Sequence, residues 1–281
     1  METTLQSTHT DTTSLEITFL GTGTSSGVPM IGCHCAVCRS KDSKDKRLRS
    51  SILLRVQGKT IIIDTTPDFR QQMLRIENDR LDAVLFTHAH KDHIAGLDDI
   101  RAYNYFQKKP MHVFATKATQ KELVREFYYA FSEFKYPGIP EILLHSIEAE
   151  PFDVEGITVT PIRVWHHKLE VVGFRIGDFT YITDANKIDQ PQLELIKGSK
   201  VLVLNALRKE KHISHFTLSE ALELIEKLQI PEAYLTHISH QMGLHETISG
   251  QLPNHVRLAY DGLVLRVPFK GDQAPKTATA F

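Results

Sequence analysis

Between Leu15 and Phe269 the chain alternates two kinds of apolar pattern. Short runs rich in β-branched residues have the length of strands, and longer stretches repeat their apolar residues every three or four positions, as the buried stripe of a helix does. The runs predict strands at 16–21, 51–57, 60–64, 82–87, 111–115, 157–165, 171–176, 179–183, 201–205, 233–236 and 256–260. The helical spacing predicts helices over 67–77, 94–106, 116–131, 190–197 and 218–228, the last opened by Thr217 with Glu220 three residues on, a capping-box pair. Strands joined partly by hairpins and partly by helices imply an α/β architecture, mixed sheets covered by helices. No linker-like stretch interrupts 15–269, so one domain is expected there, with a helical insert near 116–140 left open. Segments 1–14 and 270–281 carry no periodic apolar pattern and are expected to be disordered tails.

Composition narrows the field. The 281 residues hold 33 Lys+Arg against 34 Asp+Glu, a net charge of −1, which argues against a chain-wide nucleic-acid footprint. No stretch approaches the ~20 consecutive apolar residues of a membrane span. The start, METTLQSTHTDTTSL, has neither a basic nor an apolar signal region, so the cytoplasm is the expected compartment. Three cysteines, Cys33, Cys35 and Cys38, make a poor disulfide framework and look like ligands. Fifteen histidines against one Trp turn attention to metals, since imidazole is the commonest neutral metal ligand.

The densest signal is the strand-like DAVLFT running into His88-Ala89-His90-Lys91-Asp92-His93. Extended geometry puts His88 and His90 on one side, where they can grip one ion together. After the turn, Asp92 and His93 can face a second ion nearby. This His-x-His-x-Asp-His pattern resembles the metallo-β-lactamase superfamily of hydrolases, whose fold is a four-layer αββα sandwich of two mixed sheets. The resemblance implies an Asp after an earlier strand, Asp64 in TIIIDTT, and a His after a later one, His166 or His167 in RVWHHKL. It further implies a bridging Asp, Asp184 in FTYITDAN, and a last His, His237 in AYLTHISH. By the same resemblance His88, His90, His166 and Asp184 hold one divalent metal, and Asp92, His93, His237 and Asp184 the second. A water between two dications loses its proton near neutral pH and becomes the nucleophile. Asp64 accepts a ring N–H from a ligand histidine and fixes its tautomer. Neighbours on a strand point to opposite faces, so either His166 or His167 fits; the His-x-Lys-Leu pattern of similar proteins favours His166. Mixed His and Asp ligands accept zinc, manganese or iron.

The cysteines fall in Gly32-Cys33-His34-Cys35-Ala36-Val37-Cys38, and thiolates select zinc in a four-ligand tetrahedron. His34 sits awkwardly between two of them, whereas His240 belongs to neither metal set, which assigns Cys33, Cys35, Cys38 and His240 to a structural zinc. The run LGTGTSSGVP at 20–29, GCHCAVC, HHKL and THISHQ together resemble the phosphoribosyl 1,2-cyclic phosphate phosphodiesterases. The pattern departs at LRKEKHISH after VLVLNA, and by one extra residue between His166 and Gly173. The resemblance implies a small, possibly cyclic phosphodiester substrate, with His215 as general acid or phosphate donor; Arg101, Lys168 and Arg208 are weaker candidates for phosphate contact, each reading equally as a solvated helix or loop charge. Gly21, Gly23 and Gly27 lack dinucleotide-motif spacing and are expected to let backbone pass close to the metal pocket. The basic run from Arg39 to Arg49 reads as a solvated face that could also steer anions. A tRNA 3′-processing or other RNA endonuclease is the alternative, though no long basic arm or His-Glu-Ala-Thr segment is present. A non-catalytic zinc protein of the pyrroloquinoline quinone biosynthesis type is the second alternative, opposed by the complete ligand set. A homodimer is compatible with all of these readings.

Overall fold

The computed structural model describes residues 13–134 and 136–271. The expected tails therefore lie outside the described residues except at their inner edges, where Ser14 already opens a strand. One sheet is built from β1 (Ser14–Gly21), β2 (Ser51–Val56), β3 (Lys59–Ile63), β4 (Ala83–Leu85), β5 (Met111–Ala115) and β6 (Ile142–Ser146). The other contains β7 (Phe152–Val154), β8 (Ile157–His166), β9 (Leu169–Ile176), β10 (Phe179–Ile182), β11 (Val201–Asn205), β12 (Glu232–Thr236) and β13 (Val256–Leu258). The chain then returns to the first sheet, where β14 (Val264–Pro268) pairs antiparallel with β1, Ile17 opposite Leu265. The strand orders are β14-β1-β2-β3-β4-β5-β6 and β13-β12-β11-β10-β9-β8-β7. These two mixed sheets with helices on their outer faces make the metallo-β-lactamase α/β sandwich.

Alternation within the apolar strands explains the layering. In β3, Ile61 and Ile63 face the other sheet, packing with Leu54, Phe174 and Tyr181, while Ile62 faces helical residues Phe69, Met73 and Ile94. In β11, Val203 points between the sheets and Leu202 and Leu204 point to helical Leu193, Ala221 and Ile225. Strands covered on both faces read as unbroken apolar runs, and each fully buried Ile or Leu side chain contributes about 1.5–3 kcal/mol. Edge strands give weaker signals. β6 has a half-exposed pattern and β14 alternates with exposed positions, so neither registers as a strand in the sequence.

Helix 218–228 forms as expected over Leu218–Lys227, with both halves of the Thr217/Glu220 capping box present. The predicted helix 94–106 is broken into Lys91–Ile94, a 3-10 turn at Leu97–Ile100, and Arg101–Gln107. Gly96 is the reason: its N–H donates to Thr65 O at 2.8 Å, and a Cβ there would lie 2.2 Å from Thr66 O. The predicted helix 116–131 likewise splits at Phe127 into Lys117–Glu126 and Tyr128–Phe131. No helix of the described residues is long and apolar enough to cross a membrane.

Candidate metal centre

Parallel pairing of β3 with β4, and of β10, β11 and β12 with one another, sends the carboxyl ends of these strands to common edges, where α/β sheets gather ligands. Asp64 follows β3, the His88–His93 segment follows β4, Asp184 follows β10, His237 follows β12, and His166 is the last residue of β8. Asp64, Asp184 and His237 take left-handed φ values of 66°, 54° and 56°, a conformation that costs a non-glycine residue roughly 1–2 kcal/mol. Such strain concentrates where a site dictates side-chain direction.

Asp184 lies at the centre. Its Oδ2 is 3.2 Å from His93 Nε2 and 3.2 Å from His237 Nδ1, and its Oδ1 is 3.9 Å from His215 Nδ1. Asp92 Oδ2 is 3.3 Å from His93 Nε2. The ligand atoms of His88, His93 and Asp184 lie within 4.8 Å of one another, as do those of His166, Asp184 and His215, and those of Asp92, Asp184 and His237. The structure thus gathers the expected set around one carboxylate but divides it differently: His93 stands with His88, and His215 joins His166. His90 stays at the periphery, half-buried, with its ring 4.5 Å from that of His88 and 5.2 Å from that of His166. His166 rather than His167 faces the site; His167 sits exposed in the β8–β9 turn at φ 57°.

Hydrogen bonds fix which ring nitrogens are left open. Asp64, fully buried, faces His93 Nδ1 at 2.7 Å and accepts from Thr87 N at 2.9 Å and Thr87 Oγ1 at 2.8 Å. Ser214 O accepts from His166 Nδ1 at 2.7 Å, leaving Nε2 as a lone-pair donor. Burial would lower the His93 pKa, but Asp184, Asp64 and Asp92 outweigh it and lift it well above the ordinary imidazole range. Burial would raise Asp184, but His237 and His93 hold it well below the usual carboxylate range. Burial and His93 push His88 well down, and burial with His237 pushes His215 down to about 2. The pocket therefore combines ionised Asp184 and Asp92 with a protonated His93 between them and neutral rings at His88 and His215. His88 Nε2, His93 Nε2 and His215 Nδ1 are buried with no hydrogen-bond partner, each a loss of about 1–3 kcal/mol in water-free surroundings. Divalent cations suit this donor set, because they satisfy the orphaned nitrogens and the carboxylates together.

Cys33, Cys35, Cys38 and His240 form a separate four-donor group with ligand atoms within 4.8 Å. His240 Nδ1 is 3.3 Å from Cys33 Sγ and 3.4 Å from Cys35 Sγ. The Cys38 N–H and His240 lower the Cys35 thiol to about 6, whereas burial raises Cys38 to about 11. His34 is exposed and outside the group. The same loop after β12 carries His237 and His240, and it is pinned by Ile238 N donating to Thr22 O at 2.9 Å and Thr24 N donating to Ile238 O at 3.1 Å. The glycines themselves make room for the backbone of the basic run and not for the metal pocket, a Cβ on Gly21 lying 1.9 Å from Arg49 O, while neighbouring Thr24 Oγ1 meets His237 Nε2 at 3.2 Å.

The predicted phosphate contacts fare unevenly. Arg101 pairs with Asp98 at 3.0 Å and edges a surface cavity with Tyr105, Lys108 and Ile139, a cavity with none of the ligand histidines in its lining. Arg208 donates to Gln241 Oε1 at 2.7 Å, Lys211 O at 3.0 Å and Glu210 O at 3.2 Å, so it shapes its own loop instead of waiting for an anion. Lys168 is exposed in the turn beside His166. In the basic run, Arg47 is no solvated charge: it is buried, donating to Thr22 Oγ1 at 2.8 Å and Ala259 O at 2.6 Å. Sequence reasoning passed over His212, whose ring lies 5.1 Å from that of His215; the His-Ile-Ser-His spacing in a loop beside the site was the available signal. Burial, Arg208 and His166 lower its pKa.

A fold of two mixed sheets with His and Asp ligands at strand ends defines a metallo-β-lactamase-type hydrolase, and the beta-lactamase superfamily domain family matches residues 59–238. The chain belongs to that superfamily, whose fold implies divalent-metal binding. Within it the chain belongs to the PhnP family: a crystal structure of a new diphosphatase from that family shares 39% identity at a TM-score of 0.86, covering 91% of this chain and 98% of that one. The chain is 41% identical over 255 residues to an octanoyltransferase of Porphyromonas gingivalis, spanning 90% of itself and only 51% of that longer protein. Zinc-bound PqqB from Methylobacterium extorquens (TM-score 0.71, 20% identity, 89% of this chain and 99% of that one) and human short-form tRNase Z (TM-score 0.66, 20% identity, 90% and 100%) share the fold.

Proposed function

We propose that the protein is a dinuclear metal-dependent phosphoric diester hydrolase acting on a small, possibly cyclic phosphodiester. The observation that carries this reading is the Asp184 carboxylate flanked by three ligand groups while buried His88 and His93 nitrogens beside it lack partners. The side chains gathered around Asp184, namely His88, Asp92, His93, His166 and His237 with His90 at the edge, would hold two zinc, manganese or iron ions between them, with a structural zinc on Cys33, Cys35, Cys38 and His240. Two such ions would supply charge stabilisation for phosphoryl oxygens and would acidify a water toward neutral pKa. The chain's own groups do the rest. Asp64 orients His93, Ser214 orients His166, and Thr183 Oγ1 donates to Asp184 Oδ2 at 2.7 Å, holding the central carboxylate in place. Of the two roles open to His215, its neutral ring favours a hydrogen bond to a phosphoryl oxygen over proton donation.

Similarity to a PhnP-family diphosphatase across almost its entire length supports phosphate-ester chemistry on small molecules. The tRNase Z likeness at 20% identity speaks to fold alone. The test is a panel of nitrophenyl phosphodiester, ribosyl cyclic phosphate, cyclic nucleotide, lactone and tRNA precursor offered to the metal-loaded protein. Hydrolysis of the small phosphodiesters supports the reading, and cleavage confined to the tRNA precursor replaces it with the endonuclease.

A further inference from the structure

His237, a donor toward Asp184, and His240, a donor among the cysteines, stand three residues apart in one turn, so at most about 11 Å of chain separates their Cα atoms. The turn opens at His237 itself, whose φ of 56° is one that a non-glycine residue keeps only when its neighbours hold it. Before it lies β12, with Thr236 paired to Asn205 of β11. After it, Ile238 N donates to Thr22 O at 2.9 Å, Thr24 N donates to Ile238 O at 3.1 Å, and Ser239 N donates to Leu207 O at 3.0 Å. His240 then reaches the cysteines, its Nδ1 lying 3.3 Å from Cys33 Sγ and 3.4 Å from Cys35 Sγ.

Thr24 approaches the same turn from the opposite direction. Its Oγ1 meets His237 Nε2 at 3.2 Å, and a ring that donates from Nε2 to this hydroxyl presents its Nδ1 lone pair to the pocket, 3.2 Å from Asp184 Oδ2. From Thr24 the chain runs on into the cysteine loop and is clipped along its length. Gly27 N donates to Thr24 O at 2.8 Å, Val28 and Arg47 exchange backbone bonds of 2.8 and 2.7 Å, and Cys33 N donates to Met30 O at 3.0 Å. Met30 N in turn meets Cys38 Sγ at 3.4 Å. Segment 24–38 therefore touches the turn at both of its ends, Thr24 at His237 and the cysteines at His240. Fixing the second contact constrains the first, because the backbone between them is held in place.

We infer that His240 is a positioning residue for the metal centre at Asp184: held with the three cysteines on a zinc ion, it fixes the 237–240 turn and the Nδ1 donor of His237, so that the two sites bind their ions cooperatively. The inference rests on the metal assignments proposed above and does not depend on the substrate. Its test compares the full chain stripped of metal with the same chain given one equivalent of zinc, which thiolates select. Manganese, suited to carboxylates, is then titrated into both, and free manganese is read by electron paramagnetic resonance. Zinc is expected to tighten manganese binding about tenfold, within the range usual for coupled sites. His240→Ala, with zinc retained on the three thiolates, is expected to lose that gain, and His240→Cys, which restores a fourth ligand and the tether, to regain most of it. The ring-nitrogen NMR signals of His237 should move on zinc loading in the wild type and in His240→Cys but not in His240→Ala. A zinc that only stabilised the fold would leave the manganese affinity of folded molecules unchanged. Equal affinity with and without zinc overturns the coupling and leaves the two-ion centre standing, as does a His240→Ala protein that keeps the full gain. Failure of either form to bind manganese removes the two-ion centre and the coupling with it. If the zinc-free chain does not fold, the reciprocal measurement decides. A chelator is expected to need about tenfold more free ligand to withdraw zinc from the folded protein once manganese is bound, and identical withdrawal with and without manganese overturns the coupling.

Discussion

Replacing Asp64 with Asn isolates the hydrogen bond that orients His93. Asp64 is fully buried, with Oδ1 accepting from Thr87 N and Oδ2 facing both Thr87 Oγ1 and His93 Nδ1 at 2.7 Å. Asn matches its size and tolerates the left-handed φ of 66°, so neither packing nor backbone confounds the change. The amide has a single acceptor oxygen. If that oxygen faces His93, the NH₂ opposes the Thr87 N–H, donor against donor. If the NH₂ faces His93, the ring must accept at Nδ1 and carry its proton on Nε2, the nitrogen aimed at Asp184 and Asp92. The first arrangement costs about 1.5–3 kcal/mol of folding stability, the worth of a hydrogen bond to a charged group. The second lowers metal affinity roughly 10–100-fold, the usual effect of removing a ligand's outer partner. Chelator competition reads the affinity, urea unfolding of the metal-free forms reads the stability, and nitrogen NMR of His93 reads the tautomer. Affinity within about threefold of wild type, with the His93 proton still on Nδ1, would refute the orienting role assigned to Asp64.

Other substitutions probe separate parts of the structure. Arg47→Met keeps the aliphatic stem but removes the donor to Thr22 Oγ1, Ala259 O and His245 Nδ1, while Asp261 keeps Arg75 at 3.5 Å, and is expected to cost about 1–3 kcal/mol in urea unfolding; a loss under about 0.5 kcal/mol would show the buried network to be dispensable. Cys35→Ser should remove one metal equivalent and lower Tm, because a structural zinc contributes folding energy; unchanged zinc content and stability would mean the cysteine site is misassigned. His215→Ala should retain the catalytic metals and lose roughly 10²–10³-fold in rate, the effect of deleting a transition-state donor. Equal losses on alkoxide and nitrophenoxide leaving groups are expected, and a markedly steeper loss on the alkoxide would make His215 the general acid instead.

What could be read from the sequence divides along a physical line. Local spacing carries information that needs no folding: His88 to His93 occupy one turn after one strand, and the three cysteines span six positions, so both centres were visible. Asp64, Asp184 and His237 come from three different strands, and only their resemblance to a family pattern joined them. Which ring stands beside which depends on side-chain directions across two sheets, and so the grouping of His93 with His88 and of His215 with His166 was not legible in the sequence. Arg47 looked solvated because its partners, Thr22, Ala259 and Asp261, are brought to it by the glycine run and by the chain beyond β13. The break at Gly96 was hidden for the same reason, since the carbonyls of Thr65 and Thr66 that demand it lie about thirty residues earlier.

Metal titration of the metal-free protein, with hydrolysis of a nitrophenyl phosphodiester followed at each addition, tests the dinuclear hydrolase most directly. The ligand sets call for about three bound equivalents of zinc or manganese, with turnover appearing only as the ions around Asp184 are filled. Asp184→Ala should lose at least one of those equivalents and essentially all turnover, while keeping the zinc on the cysteines. Full turnover without added metal, or an Asp184→Ala variant that hydrolyses the ester at the wild-type rate, would contradict the two-ion centre.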